Sequence, residues 1–282
     1  VGTERSFEAA KEKGVPITFV INKIDKENSS FEKVYSELKE RFGSNTVALQ
    51  IPVIRKHIIE GIIDVLHGTF SVYDLKKNET VLKEIPADFE EQYKASYNEL
   101  MEIISESSEE YLTAYLNNGV LTQEEMVSGL KKGILAGEIY PVLCISAQYC
   151  RGVQLLLDYI CESMPAPKEE AFHYHDEKNE EHVGMFSGAE DEHVGLIFKT
   201  IADPFVGKLS FVKVLRGSLT VNSTVYNANK NKEEKINSLY AVRGKEQKAI
   251  ESIEAGDIGV IAKLQVSNTN DTLCDKASPI LI

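Results

Sequence analysis

The stretch PITFVINKID, Pro16–Asp25, decides how the chain is read. The run from Ile17 to Ile21, with Phe19 and Val20 inside it, has the continuous apolar character of a strand buried on both faces of a parallel sheet. Asn22-Lys23-Ile24-Asp25 then falls beyond the carboxyl end of that strand, where open α/β sheets bind ligands. Upstream, residues 3–13 read as a helix that stops at Gly14. Downstream, Ser30–Phe42 reads as a helix with Phe31, Val34, Tyr35 and Leu38 on one face and a stop at Gly43. VALQIPVI, Val47–Ile54, reads as the next strand, so the opening unit is strand, helix, strand, as in an α/β sheet.

The pattern then changes. GIIDVLHGTFSVYD, Gly61–Asp74, alternates loosely and suggests a short hairpin. After Pro86, the residues Phe89, Tyr93, Tyr97, Leu100, Ile103 and Ile104 recur at helical spacing as a core-facing stripe. Leu121–Gly137 reads as a further helix, opened by a capping box of Thr122 and Glu125. YPVLCISA, Tyr140–Ala147, returns to a buried strand, and the helix after it ends at Pro165. The α/β pattern of residues 1–165 is thus interrupted by an inserted α+β subdomain over about 55–138.

Residues 166–193 are polar and read as a linker with a loop. From 194 to 282 only short strands follow, punctuated by Asp203-Pro204, Gly207, Arg216-Gly217 and Asn222-Ser223. GDIGVIAKL, Gly256–Leu264, alternates at Ile258, Val260, Ala262 and Leu264. Closely spaced strands of this kind predict a small all-β barrel.

Composition sets the wider bounds. The chain has 282 residues, 43% hydrophobic and 27% charged, an ordinary globular mix with room for two domains. No apolar run approaches the roughly 18 to 20 residues that span a bilayer. The cysteines Cys144, Cys150, Cys161 and Cys274 show neither CxxC nor zinc-ligand spacing, so a reducing cytoplasm is the expected compartment. Net charge is −13, of which −9 falls in the 41 residues from Ile85 to Glu125. That surface cannot serve phosphate backbones, which demand Lys and Arg. It reads as a solvated helical face or as a docking surface for a protein partner. His173, His175, His182 and His193 cluster among carboxylates, and HxH spacing is compatible with a metal. No rigid element is predicted to fix them there, so the stretch reads as a solvated loop and no metal site is expected.

Two strand ends carry chemistry. Asn22-Lys23-Ile24-Asp25 ends one, and Ser146-Ala147-Gln148 ends the other. A carboxylate at Asp25 suits guanine, accepting from the ring N1–H and the exocyclic amine, whereas adenine would leave it unpaired. The Asn22 amide can reach N7, the Lys23 stem can cover the face of the base, and the Ala147 backbone N–H can donate to O6. Alone, the first motif reads equally well as a polar turn capped by Asp25; the second strand end shifts the balance to nucleotide recognition.

With these residues in place, the chain resembles the translational GTPases, most closely elongation factor G and its bacterial paralogues. NKID matches that family's fourth GTPase motif, Ser146-Ala147 its fifth, and GVQLLLDYICESMPAP the exit helix of its G domain. FKTIADPFVGKLSFVKVLRGSL and AGDIGVIAKL resemble its β-barrel second domain. The resemblance implies a partial P-loop-NTPase-like G domain with its inserted subdomain, then the barrel. It implies GTP and GDP as ligands, and a ribosomal partner reached in part through a stalk protein on the acidic insertion. No phosphate-binding GxxxxGK(S/T) and no DxxG ahead of NKID occurs. The expectation is therefore a fragment that contains no catalytic residue and is inactive alone, with Mg²⁺ held by residues outside it. GKEQKAIESIEAGD, Gly244–Asp257, and Lys26-Glu27 lean toward a paralogue, while a ribosomal-protection factor, a release-type factor or a non-hydrolysing nucleotide-binding regulator stay open.

Overall fold

The computed structural model describes residues 2–56, 58–74, 79–167, 171–188, 191–204, 207–244 and 246–282. The chain divides at Pro165 and Ala166 into two compact units.

In the first unit, helix α1 (Gly2–Glu12) precedes strand β1 (Phe19–Ile21), helix α2 (Phe31–Phe42) and strand β2 (Thr46–Ala48). Ser30 caps α2 by accepting from Lys33 N–H. Phe7 of α1 packs on Phe42 of α2, with centroids 4.5 Å apart, which presses both helices on the sheet. The inserted subdomain is a meander of β3 (Gln50–Arg55), β4 (Ile58–Asp64), β5 (Thr69–Asp74) and β6 (Glu79–Lys83), then helices α3 (Glu90–Glu106), α4 (Glu109–Asn118) and α5 (Gln123–Leu135). Strand β7 (Tyr140–Cys144) and helix α6 (Val153–Ser163) close the unit. The central sheet is parallel, in the order β1-β7-β2, with Ile21 opposite Cys144 and Ala48 opposite Val142. Every residue of β7 is buried, as its unbroken apolar run requires.

A strand boundary differs from the sequence reading. Val47–Ile54 is not one strand: it divides at Leu49, whose N–H donates to Val142 O at 2.9 Å while its own carbonyl accepts from Val65 N–H at 2.9 Å. Leu49 thereby joins the parallel sheet to the antiparallel one. The antiparallel sheet accordingly begins at Gln50. The expected hairpin at 61–74 is present as β4 and β5, and the Thr122–Glu125 capping box opens α5. The apolar stripe on α3 meets Met126, Leu130 and Ile134 of α5 in one core.

The second unit is all β. Its strands β8 (Ala171–His175) and β9 (Glu181–Met185) form a hairpin where the polar composition predicted a linker. Phe172 is buried against Val194, Leu215, Cys274 and Ile280, and His175 and Leu281 exchange backbone hydrogen bonds of 2.8 and 2.9 Å. The remaining strands are β10 (Val194–Asp203), β11 (Gly207–Arg216), β12 (Ser218–Thr220), β13 (Thr224–Asn227) and β14 (Lys232–Lys235). They continue with β15 (Leu239–Arg243), β16 (Glu246–Ile250), β17 (Ser252–Glu254), β18 (Ile258–Ala262) and β19 (Thr272–Cys274). Eight pair in the order β14-β13-β19-β10-β11-β18-β15-β16, while β12 pairs with β17. Val225 of β13 and Leu239 of β15, well separated in that order, share one apolar interior with Ile197, Val212 and Leu273. The sheet therefore curls around its core in the manner of a barrel. The expected alternation in β18 breaks: Ile258 is exposed, and Ile261 is buried along with Val260 and Ala262. Ile261 faces the interior while Val260 and Ala262 pack with Leu209 on the other face.

The barrel motifs quoted from sequence include Phe205, Val206 and Lys245, and the polar stretch includes 168–170 and 189–190, all outside the described residues. Among the described residues no helix is long and apolar enough to cross a membrane.

Candidate functional site

The parallel pairing of β1 with β7 ends both strands on the same edge of the sheet. Asn22 to Asp25 leaves one strand and Ser146 to Gln148 the other, so the six residues named from sequence converge: Asn22, Lys23, Asp25, Ser146, Ala147 and Gln148. The first loop is pinned by Ile24, which is buried and donates its N–H to Ile145 O at 3.4 Å. Lys23 takes a left-handed φ of 66°, turning the chain sharply while its side chain stays exposed.

Asn22 ties the loops together. Its Oδ1 accepts from Lys23 N–H at 2.7 Å and from Ala147 N–H at 3.1 Å. The Ala147 N–H expected to reach a guanine O6 is thus donated to Asn22 here. Lys26 adds a second bridge, donating from Nζ to Gln148 Oε1 at 3.2 Å. The Asp25 side chain is 8% exposed, with Lys26 Nζ 3.5 Å away. The neighbouring Ser146 hydroxyl holds the Asp25 carboxyl below its ordinary range, with Lys26 adding a smaller effect, so Asp25 is ionised at neutral pH. Ser146 itself is fully buried, and its Oγ lies beside Asp25 without reaching full hydrogen-bond geometry to any described group.

The second loop is a closed unit. Ser146 N–H donates to Arg151 O at 2.9 Å and Arg151 N–H to Ser146 O at 3.0 Å. Behind it, Cys144 N–H donates to the buried Gln50 Oε1 at 2.9 Å, which satisfies the strand end. Gly152 follows with φ of 73°, and a Cβ there would stand 2.6 Å from Cys144 O and 2.5 Å from Ile62 Cδ1. Gly152→Ala is expected to cost about 2 to 3 kcal/mol of stability, from left-handed strain and the clash with backbone. Chemical denaturation of the 282-residue chain checks this; an unchanged midpoint would mean the loop yields without cost.

Sequence reasoning passed over Gln50, Arg151 and Gly152. The arginine and glycine carried a signal, a polar-glycine pair directly ahead of an apolar helix; Gln50 carried none, since it sits inside an apolar run.

The four histidines are not brought together. His173 pairs with Glu181 at 3.2 Å, His182 with Asp176 at 3.2 Å and His193 with Asp275 at 3.0 Å. Asp176, Glu180 and His182 place possible ligand atoms within 4.8 Å of one another. The Asp176 carboxylate is committed to the hairpin turn, however, accepting from Lys178 and Glu180 N–H at 2.9 Å each.

A nearly buried carboxylate thus lies between two strand-end loops of a parallel sheet, in a chain that continues into a β-barrel. The chain belongs to the translational GTPase family: residues 1–166 match the elongation factor Tu GTP binding domain and residues 192–276 match elongation factor G domain 2. A crystal structure of a protein from Thermus thermophilus superposes with a TM-score of 0.83 at 25% sequence identity, covering 99% of this chain and 39% of that one. The chain thus spans well under half the length of the solved relative it matches.

Proposed function

We propose that this chain supplies the base-reading part of a GTP site and the adjoining β-barrel of a longer factor, one that hydrolyses GTP on the ribosome to drive a step such as translocation. The observation that carries this reading is the Asn22–Ala147 hydrogen bond, which locks the two loops around the Asp25 carboxylate. The donor set fits guanine: two carboxylate oxygens for N1–H and the exocyclic amine, and the Asn22 amide for N7. Phosphate and Mg²⁺ are assigned to residues outside these 282, since no phosphate-binding loop occurs among them. GTP would supply the energy of the cycle, and the residues here select and orient its base.

The inserted helices face the partner in this reading. Glu102, Glu106 and Glu109 are exposed at the end of α3 and the start of α4, within the strongly acidic stretch. Such a surface repels phosphate and suits a basic ribosomal protein, acting mainly on the association rate. Reversing these three charges in the longer protein is expected to lower ribosome-stimulated GTP turnover severalfold, with the loss shrinking as salt rises. Affinity for GTP should stay unchanged. Altered GTP affinity with intact ribosomal stimulation would assign the insertion to the nucleotide site instead.

A further inference from the structure

The inserted sheet touches the guanine-reading loop through two consecutive residues. The Arg151 guanidinium lies over the Tyr73 ring of β5, 4.4 Å from its centroid. Gly152 packs so closely on Ile62 of β4 that only a hydrogen fits between them. Arg151 is also the residue whose backbone closes the loop onto Ser146 in both directions. Its Nη1 is buried without a hydrogen-bond partner among the described residues. A guanidinium nitrogen so placed has given up hydration, and the aromatic face is the compensation on that side. The stack is therefore a specific anchor and not a loose surface contact.

We propose that Arg151 and Tyr73 are positioning residues for guanine recognition, through which the inserted sheet sets the place of the Ser146–Arg151 loop. The inference rests on the reading of Asp25 and Ser146–Gln148 as the base site. Loop placement matters there because Ala147 N–H holds Asn22 and the Ser146 hydroxyl lies beside Asp25. With the stack removed, the two backbone hydrogen bonds still close the loop and Gly152 still packs on Ile62, but the loop loses its cation–aromatic anchor on β5. The base contacts loosen while the phosphate contacts, made elsewhere, persist. Nucleotide then dissociates faster, and the insertion becomes a structural determinant of how long the nucleotide stays.

The test is the dissociation rate of a fluorescent GDP from the longer protein. Tyr73→Leu keeps apolar bulk and removes the aromatic face, and Arg151→Ala removes the cation. Each is expected to speed release about three- to tenfold, and the double variant no more than either single one. Tyr73→Phe, which keeps the ring, should restore a rate near that of the unsubstituted protein. A purely structural role would lower melting temperatures without this pattern in the rates. Release within about twofold of the unsubstituted rate in both single variants, or fully additive effects in the double, overturns the proposal. An Asp25→Asn control separates the two levels of inference. If it loses guanine preference while the stack variants release normally, only the positioning role fails. If it keeps guanine preference, the base-site reading fails and the positioning role with it.

Discussion

Asp25→Asn in the longer protein is expected to exchange guanine for xanthine, moving the preference between GDP and XDP by about 10⁴. The ionised carboxylate presents acceptors only, which matches two donors on guanine. An amide presents one acceptor and one donor. The donor meets the amine of guanine unfavourably but pairs with the C2 carbonyl of xanthine. The effect is large because the Asp25 side chain is only 8% exposed, so water cannot step in to satisfy a mismatched group. Ser146 keeps the Asp25 carboxyl below its ordinary range, so the acceptor pair persists well into acid. Base selectivity should accordingly be flat from neutral pH down to the ordinary carboxylate range. Competition of unlabelled GDP and XDP against a fluorescent nucleotide measures the ratio. A variant that keeps the unsubstituted ratio would show that these loops do not read the base.

That the two strand-end loops meet was legible because their signals are local and the sheet rule converts them into position. A continuous apolar run marks a strand buried on both faces, which holds for Tyr140–Cys144 at the centre of the parallel sheet but not for Phe19–Ile21, which pairs along its edge with Val20 exposed. The motifs following them then had to share an edge. What the sequence could not show was partnership. The run Val47–Ile54 is apolar almost throughout, and nothing in it tells that Leu49 bonds to β7 on one side and to Val65 on the other. The stack of Arg151 on Tyr73 is likewise a matter of two distant segments meeting.

The polar stretch after Pro165 was misread for a different reason. Its composition is that of a linker, yet Phe172 and Tyr174 alternate with exposed neighbours, and Asp176 to Asn179 form a turn with Asn179 at φ of 62°. Burial of a single phenylalanine against the barrel outweighs the polarity around it. Helix α4 goes unread in the sequence because the exposed Leu112 and Leu116 blur the stripe of Tyr111, Ala114 and Tyr115 that packs in the core. Its punctuation was present all the same, in the Ser108 cap and the left-handed Gly119 that ends it.

Glu234→Ala is expected to destabilise the barrel unit by about 3 to 5 kcal/mol. Glu234 is 9% exposed. Its carboxylate collects the backbone N–H groups of Gln265 at 2.5 Å, Val266 at 2.7 Å and Ser267 at 2.8 Å, together with the Ser267 hydroxyl. These donors belong to the loop that leaves β18, so one side chain stands in for a missing strand partner. Alanine would strand three backbone donors in a poorly hydrated place. Burial pushes the Glu234 pKa up, but the hydrogen bonds from Ser267, Val266 and Gln265 outweigh it and leave the pKa lowered from its ordinary 4.5. The sign of the pH dependence follows. The folded pKa lies below the unfolded one, so the contribution is fully present above pH 4.5 and is lost as pH falls through the folded value. Glu234→Gln, which keeps an acceptor but cannot ionise, should lose less at neutral pH and show a shallower acid limb. Urea unfolding of the 282-residue chain from neutral to acid pH, with hydrogen exchange read at Val266 and Ser267, measures both effects. Unchanged exchange at those two amides in Glu234→Ala would show that water or a neighbour takes over the carboxylate's role.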